Sequence, residues 1–253
     1  MLATNVNFLI KMKRQFLSSV LLILQLGFLL LSSPSNAATL AKDRMWPPGS
    51  IINVLFLDGS PEQMDRVRAV APLWLVESSL VFRFFESPKE APALTHIRIS
   101  FFNQSGSRLG AHGDYQSLDA TMQLAELNHY DLESSLAQRY ILHEFGHALG
   151  LEHEYRNPRW PYGEKAIEEH IERCIPRLQN NAFNKEEAAV RCNEINTKLD
   201  SSNSHFTAYD KLSIMNYPQS ITLEEGQKVL IKATTRLSIL DKLAISRWYG
   251  KKN

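Results

Sequence analysis

The stretch His143-Glu144-Phe145-Gly146-His147-Ala148-Leu149-Gly150-Leu151-Glu152-His153 reads H-E-x-x-H-x-x-G-x-x-H. It constrains the fold more than any other part of the chain. His143 and His147 are four apart, so on a helix they stand one above the other on a single face. Both imidazoles can then reach one Zn²⁺ at about 2.0–2.1 Å. Glu144 is offset around the same helix, beside the metal but not on it, where a general base for a water on that metal belongs. A helix continued past His147 would carry His153 away. Gly150 can take φ > 0, end the helix and turn the chain so that His153 approaches from below. Three protein ligands leave a fourth position open, which is the pattern of a catalytic zinc site. Five fixed positions coincide by chance in about one chain in ten thousand of this length, taking roughly 1/20 per position. A surface helix with scattered histidines would explain neither the glycine nor the third histidine.

This signature resembles that of the metzincin metallopeptidases. Ser213-Ile214-Met215-Asn216-Tyr217-Pro218 resembles their Met-turn, in which a methionine forms an apolar floor under the three histidines. A tyrosine two residues after it, as Tyr217 is after Met215, is the astacin version. There the phenol lies beside the zinc and can hydrogen-bond the oxyanion. Trp46-Pro47-Pro48-Gly49 resembles the opening of an astacin-type domain, and Glu154 is the residue astacins carry after the third histidine. Leu237-Ser238-Ile239-Leu240-Asp241-Lys242, then Trp248-Tyr249-Gly250, resembles the closing helix of secreted microbial metzincins. The similarity covers about residues 44–250. Two features depart from the family: Asn216 stands where astacins usually have His, and the two disulfides typical of animal astacins have no counterpart.

Residues 1–37 read as a targeting segment. Lys11, Lys13 and Arg14 form a basic region, Phe16 to Leu31 an apolar one, and Ser35-Asn36-Ala37 a small-residue cleavage site. Met12 is an alternative start. The apolar run is short for a membrane span, which needs about 20 residues; an uncleaved anchor is the alternative. Cleavage after Ala37 would remove those three basic residues from the 28 and none of the acidic ones. That leaves 25 Lys+Arg against 27 Asp+Glu, a net charge of −2 over 216 residues. The balance suggests neither nucleic acid nor an acidic membrane surface as partner. The length suits one well-cored domain with a cleft. No propeptide fits between Ala37 and Trp46, so latency by a cysteine switch is not expected. The resemblance also implies that Glu154 meets the ammonium of a short mature N-terminus, with Arg156 or Arg159 as the alternative partner.

Cys174 and Cys192 are the two cysteines. In an exported protein such a pair points to one local disulfide. The alternative is a second metal site with His170, for which a fourth ligand is missing. His112-Gly113-Asp114 resembles the H-x-D element of the structural zinc site of matrixins; the alternative is a polar loop, since no other ligands are evident. Trp74, Trp160 and Trp248 are expected in the core.

Periodicity places a buried strand at 51–57 and a helix from Pro61 to about Ser79, capped by Ser60 and kinked at Pro72. Strands follow at 80–85 and 96–102, then a loop at 104–115 and a strand at 120–125. By resemblance that last strand is the edge above the cleft, where an extended peptide adds as another strand. The zinc helix is expected from about Leu132 to Leu149. Two helices, 164–179 and 185–199, lie in an insertion of about 157–209. A polar loop follows the Met-turn, and a closing helix runs over 238–248.

The expected fold is α+β, a metzincin (zincin-like) catalytic domain. A twisted mixed sheet and two long helices lie above the cleft, the zinc-binding helix forms its floor, and the lower part carries the Met-turn. The signal would be residues 1–37 and a single catalytic domain residues 38–253. The expected function is a secreted or periplasmic zinc endopeptidase. His143, His147 and His153 would hold one Zn²⁺, Glu144 act as base, and Tyr217 stabilise the oxyanion. Its partners would be peptide or protein substrates, with no nucleic acid, no stable membrane association after cleavage, and a monomeric state. The alternatives are a zinc hydrolase of a non-peptide bond and a catalytically silent zinc-containing binding protein.

Overall fold

A computed structural model describes residues 38–251, apart from 104, 114, 116, 118, 180–182 and 224. Residues 1–37, expected to be a targeting segment, and Asp114 lie outside the described residues. In chain order the elements are β1 (Thr39–Ala41), β2 (Ile51–Phe56), α1 (Pro61–Val70), β3 (Val81–Phe85), β4 (Ile97–Ser100), β5 (Gly106–Ser107), β6 (Met122–Gln123) and α2 (Ser135–Ala148). Then come α3 (Gly163–Gln179), α4 (Lys185–Asn196), β7 (Ser204–Phe206), β8 (Gln219–Thr222), β9 (Lys228–Ile231) and α5 (Ile239–Tyr249).

The main sheet is mixed, with strand order β3-β2-β4-β6-β5. β2, β3, β4 and β6 run parallel, and β5 is antiparallel to β6. Alternation in β2 buries Ile52, Val54 and Phe56, as a strand with one face on a core requires. They join Val67 and Val70 of α1, Ile99 of β4, and Ile141, Leu142 and Phe145 of α2 in one apolar cluster. The expected α+β class and its sheet-and-helix upper layer are therefore present. The edge is not the strand expected there: β6 lies between β4 and β5, and the edge is β5, in the segment expected to be a loop.

Ser60 caps α1 as expected, in a capping box with Gln63. The helix ends at Val70, short of the expected Ser79, and passes into a 3₁₀ turn at Ala71–Leu75. Pro72 lacks the N–H that an α-helical continuation needs. α2 begins three residues later than expected. Asp131 folds the preceding chain into a turn by accepting from Ser134 N (2.9 Å) and, through Oδ1, from Glu133 N (3.0 Å). Ser134 then caps the helix by accepting from Ala137 N at 3.1 Å.

β1 was not expected. It is buried, pairs with β7 and bridges Leu151 just beyond the zinc helix. The insertion helices lie close to their expected bounds, joined by a Cys174–Cys192 disulfide with Cα atoms 5.7 Å apart. This removes the alternative of a second metal site. Tyr155, Trp160, Ala166 and Ile167 form a second core with Ile221 and Ile231. Those two isoleucines lie in β8 and β9, an antiparallel hairpin where a polar loop was expected. Trp74 and Trp160 are core residues, while Trp248 is half-buried. Among the described residues no helix is long and apolar enough to cross a membrane.

Candidate metal centre

The zinc helix ends as its sequence requires. Gly150 has φ = 91°. Its N–H donates to His147 O (2.8 Å), while Leu151 N–H donates to Gly146 O (2.9 Å). These two bonds form a Schellman motif. The last carbonyls are also satisfied from outside: Trp46 Nε1 donates to Ala148 O at 2.8 Å, and Tyr249 Oη to Leu149 O. The turn sends the chain back, and His153 arrives opposite the helix.

The three imidazoles converge through Nε2. His153 Nε2 lies 3.2 Å from His143 Nε2 and 3.1 Å from His147 Nε2. Each Nδ1 has an oxygen partner: Ile214 O for His143 (2.9 Å), Leu151 O for His147 (2.8 Å) and Tyr155 Oη for His153 (3.0 Å). If every Nδ1–H donates to these oxygens, every Nε2 presents a lone pair to the same point. Lone pairs at this distance repel unless a cation sits between them. Tetrahedral ligands at about 2.05 Å from Zn²⁺ lie roughly 3.3 Å apart, so the donor set fits zinc. Burial and neighbouring cationic groups hold all three histidines below the ordinary range, those of His143 and His153 well below it. Neutral imidazole is the form that binds metal. Among the described residues this is the one group of three or more such side chains able to hold an ion.

Glu144 is buried, and its Oε2 has no hydrogen-bond partner. Burial, reinforced by Glu126, pushes its carboxyl up to about 8 against the opposing charge of Arg139. Tyr217 lies across the histidines, its ring centroid 4.4 Å from that of His153 and 5.3 Å from that of His143. Tyr217 as a whole is 42% exposed, and its phenol is pushed up to about 12 by local desolvation among the packed rings and then by the charge of Glu144. Met215 is buried beneath Gly146, as a Met-turn places it. The three histidines and Tyr217 are thus brought together, with Glu144 next to His143 on the same helix.

Three further residues assemble the site; Asp241 lies in the segment that resembles a closing helix, and Arg139 and Tyr155 carry no motif. Asp241, fully buried, accepts from Ser213 Oγ (2.7 Å) and Ile214 N (3.0 Å), tying the Met-turn to the start of α5. Arg139, one turn before His143, donates to Asn216 O (2.6 Å) and Thr234 O (2.7 Å). It grips the peptide bond that leads into Tyr217. Tyr155 is the third, through His153. Spacing along α2 could have placed Arg139 on the zinc face, but nothing in the sequence names its partners.

Glu154 is fully buried; its Oε2 accepts from Asp210 N (3.2 Å) and its Oε1 has no hydrogen-bond partner. Neither arginine considered for it pairs with it. Arg156 goes to Glu152, and Arg159 lies over the Phe206 ring. His112 packs against Tyr115, ring centroids 5.2 Å apart.

No protein-family model and no curated protein matches the sequence. Solved structures do match. A structure of myroilysin superposes with a TM-score of 0.62 at 24% identity, covering 85% of this chain and 100% of that one. A crystal structure of myroilysin gives 0.57 at 26%, covering 81% and 86%. High choriolytic enzyme 1, a hatching enzyme zinc-protease from Oryzias latipes (medaka fish), gives 0.52 at 17%, covering 83% and 96%. The chain thus shares the architecture of these structures, and the zinc helix, the glycine turn, the third histidine and the Met-turn assembled on it support an astacin-like metzincin.

Proposed function

We propose that the protein is an exported zinc endopeptidase in which Glu144 is the general base and Tyr217 the oxyanion donor. The observation that carries this reading is the buried Glu144 Oε2, free of any hydrogen bond, on the helix residue next to His143, whose Nε2 converges with those of His147 and His153. A zinc site built for structure alone would have no use for a desolvated, unpartnered carboxylate.

Bound at His143, His147 and His153, Zn²⁺ supplies a Lewis acid that polarises the scissile carbonyl and makes water nucleophilic near neutral pH. The positive charge of a bound metal would favour the ionised carboxylate of Glu144 over the protonated form that burial alone favours. Glu144 would then take the proton of the attacking water on Oε2 and pass it to the leaving amine. Tyr217 donates its phenolic hydrogen to the carbonyl oxygen as negative charge develops there. Arg139 and Asp241 hold the backbone of the Met-turn on which Tyr217 stands. β5 packs against the zinc helix and, among the described residues, is the outermost strand at its end of the sheet. An extended peptide added to that edge is held by its backbone, which supports peptide or protein as the substrate class.

In this reading residues 1–37 are the export signal and 38–253 a single catalytic domain, with the helical insertion at about 157–209. The protein works outside the cytoplasm as a monomer, without stable membrane association after cleavage. The test is hydrolysis of denatured casein by the purified protein, with and without a zinc chelator, alongside its metal content. Chelator-sensitive cleavage supports the proposal. Zinc-loaded protein with no hydrolysis would favour a silent binding protein, and cleavage only of non-peptide substrates a different hydrolase.

A further inference from the structure

Two of the three ligands are oriented by backbone. His143 and His147 stand on a helix and meet main-chain carbonyls through Nδ1. His153 has neither support. It lies in an extended segment (φ −61°, ψ 144°), and its Nδ1 meets a side chain, Tyr155 Oη, at 3.0 Å. The Tyr155 ring lies between two imidazoles and nearly parallel to both. Its centroid is 5.1 Å from His153 at 18°, and 4.1 Å from His170 at 22°. Trp160 closes one edge, its ring 6.4 Å away at 83°. His170 belongs to α3 and Trp160 to the segment leading into it, both within the inserted region.

We propose that Tyr155 is the positioning residue of the third zinc ligand and that the insertion braces it, His170 of α3 holding the Tyr155 ring against His153. This rests on the zinc-site reading above. An acceptor on Nδ1 fixes the tautomer and ring orientation of a ligating histidine and raises its basicity, and loss of such a partner typically costs 10–100-fold in affinity. The other two acceptors are peptide carbonyls that no substitution removes. Tyr155 is therefore the one support of this kind that a single mutation can delete. The inserted helices, clipped by Cys174–Cys192, acquire a role at the metal through it.

The test is the zinc Kd of the full mature chain, measured by chelator competition, together with the visible spectrum of the cobalt-substituted protein. Tyr155→Phe keeps the ring and its packing and removes only Oη. It is expected to weaken zinc about 10–100-fold and alter the cobalt bands, while the zinc-free protein unfolds at the wild-type temperature. His170→Ala leaves Oη and removes the brace, and a smaller loss of at least several-fold is expected. His170→Phe, which retains a stacking ring, is expected to restore wild-type affinity. Wild-type zinc affinity and cobalt spectrum in Tyr155→Phe overturn the positioning role, and wild-type affinity in His170→Ala overturns the brace. If the wild type binds no zinc, or if His153→Ala binds it as tightly as the wild type, the zinc-site reading itself has failed.

Discussion

Gly146 of the zinc helix and Met215 of the Met-turn approach so closely that a Cβ on Gly146 would lie 2.4 Å from Met215 Sδ and 3.1 Å from Trp74 Cζ2. The residue between the first two ligands is thus set by the floor beneath them. In an ordinary helix interior, Gly→Ala stabilises by roughly 0.5–1 kcal/mol. Here Gly146→Ala must displace Met215, which is 1% exposed. Overpacking of a filled core costs about 1–3 kcal/mol, so the sign reverses. The unfolding temperature of the zinc-free variant is expected to fall; a rise would mean that the Met-turn yields freely.

Asp241 links the Met-turn to α5 and introduces a pH dependence. Burial raises its carboxyl to about 6, against the hydrogen bonds it accepts from Ile214, Ser213 and Ser238. A folded-state value above the unfolded one favours the folded state most below about pH 4, a contribution lost as pH rises through about 6. The span corresponds to roughly 3 kcal/mol. Asn cannot accept all three bonds and turns its NH₂ on a donor. Asp241→Asn is therefore expected to be less stable than wild type, by about 1–3 kcal/mol per orphaned donor. The gap should narrow between pH 4 and pH 7. Urea denaturation of both zinc-free proteins across that range measures it, and a gap independent of pH would contradict the account.

What the sequence reveals at the site is short in range. The zinc helix, its glycine turn and the third histidine lie within eleven residues, and the caps Ser60 and Ser238 bond to residues three positions on. Features that depend on distant partners are not legible. Ala38 N donates to Thr207 Oγ1 169 residues away (2.7 Å), and β1 exists only because β7 and Leu151 flank it. Arg139 meets Asn216 77 residues on. The β8–β9 hairpin stands where a polar loop is expected, and it buries only Ile221 and Ile231 on its inner face. β5 is two residues of Gly-Ser and carries no strand pattern at all.

If Tyr217 is the oxyanion donor, as proposed, its removal should leave ground-state binding alone. Tyr217→Phe is expected to lower kcat by about 10-fold or more with little change in KM. Steady-state kinetics on a peptide substrate distinguish the roles. A raised KM at unchanged kcat would make Tyr217 a residue of the substrate pocket.

Glu154 leaves one buried carboxylate oxygen without a partner, and Ala38, the residue that signal cleavage would expose, is itself buried. Ala38 N donates to Thr207 Oγ1 and not to Glu154, so the ammonium partner implied by the resemblance would have to leave Thr207 to compensate this carboxylate. Extending the mature chain by two residues before Ala38 is expected to lower stability or activity as Glu154→Gln does. The combined variant should cost little more than either alone. A silent extension beside a harmful Glu154→Gln would show that the amine is not the partner.

The central claim is that Glu144 is the base of a zinc peptidase and not a ligand of its metal. It is tested by measuring zinc content and kcat/KM for peptide hydrolysis in Glu144→Gln. The variant is expected to retain one zinc per chain, because His143, His147 and His153 are untouched, and to lose at least about 10²-fold in kcat/KM. Full zinc with near-normal turnover would contradict the account.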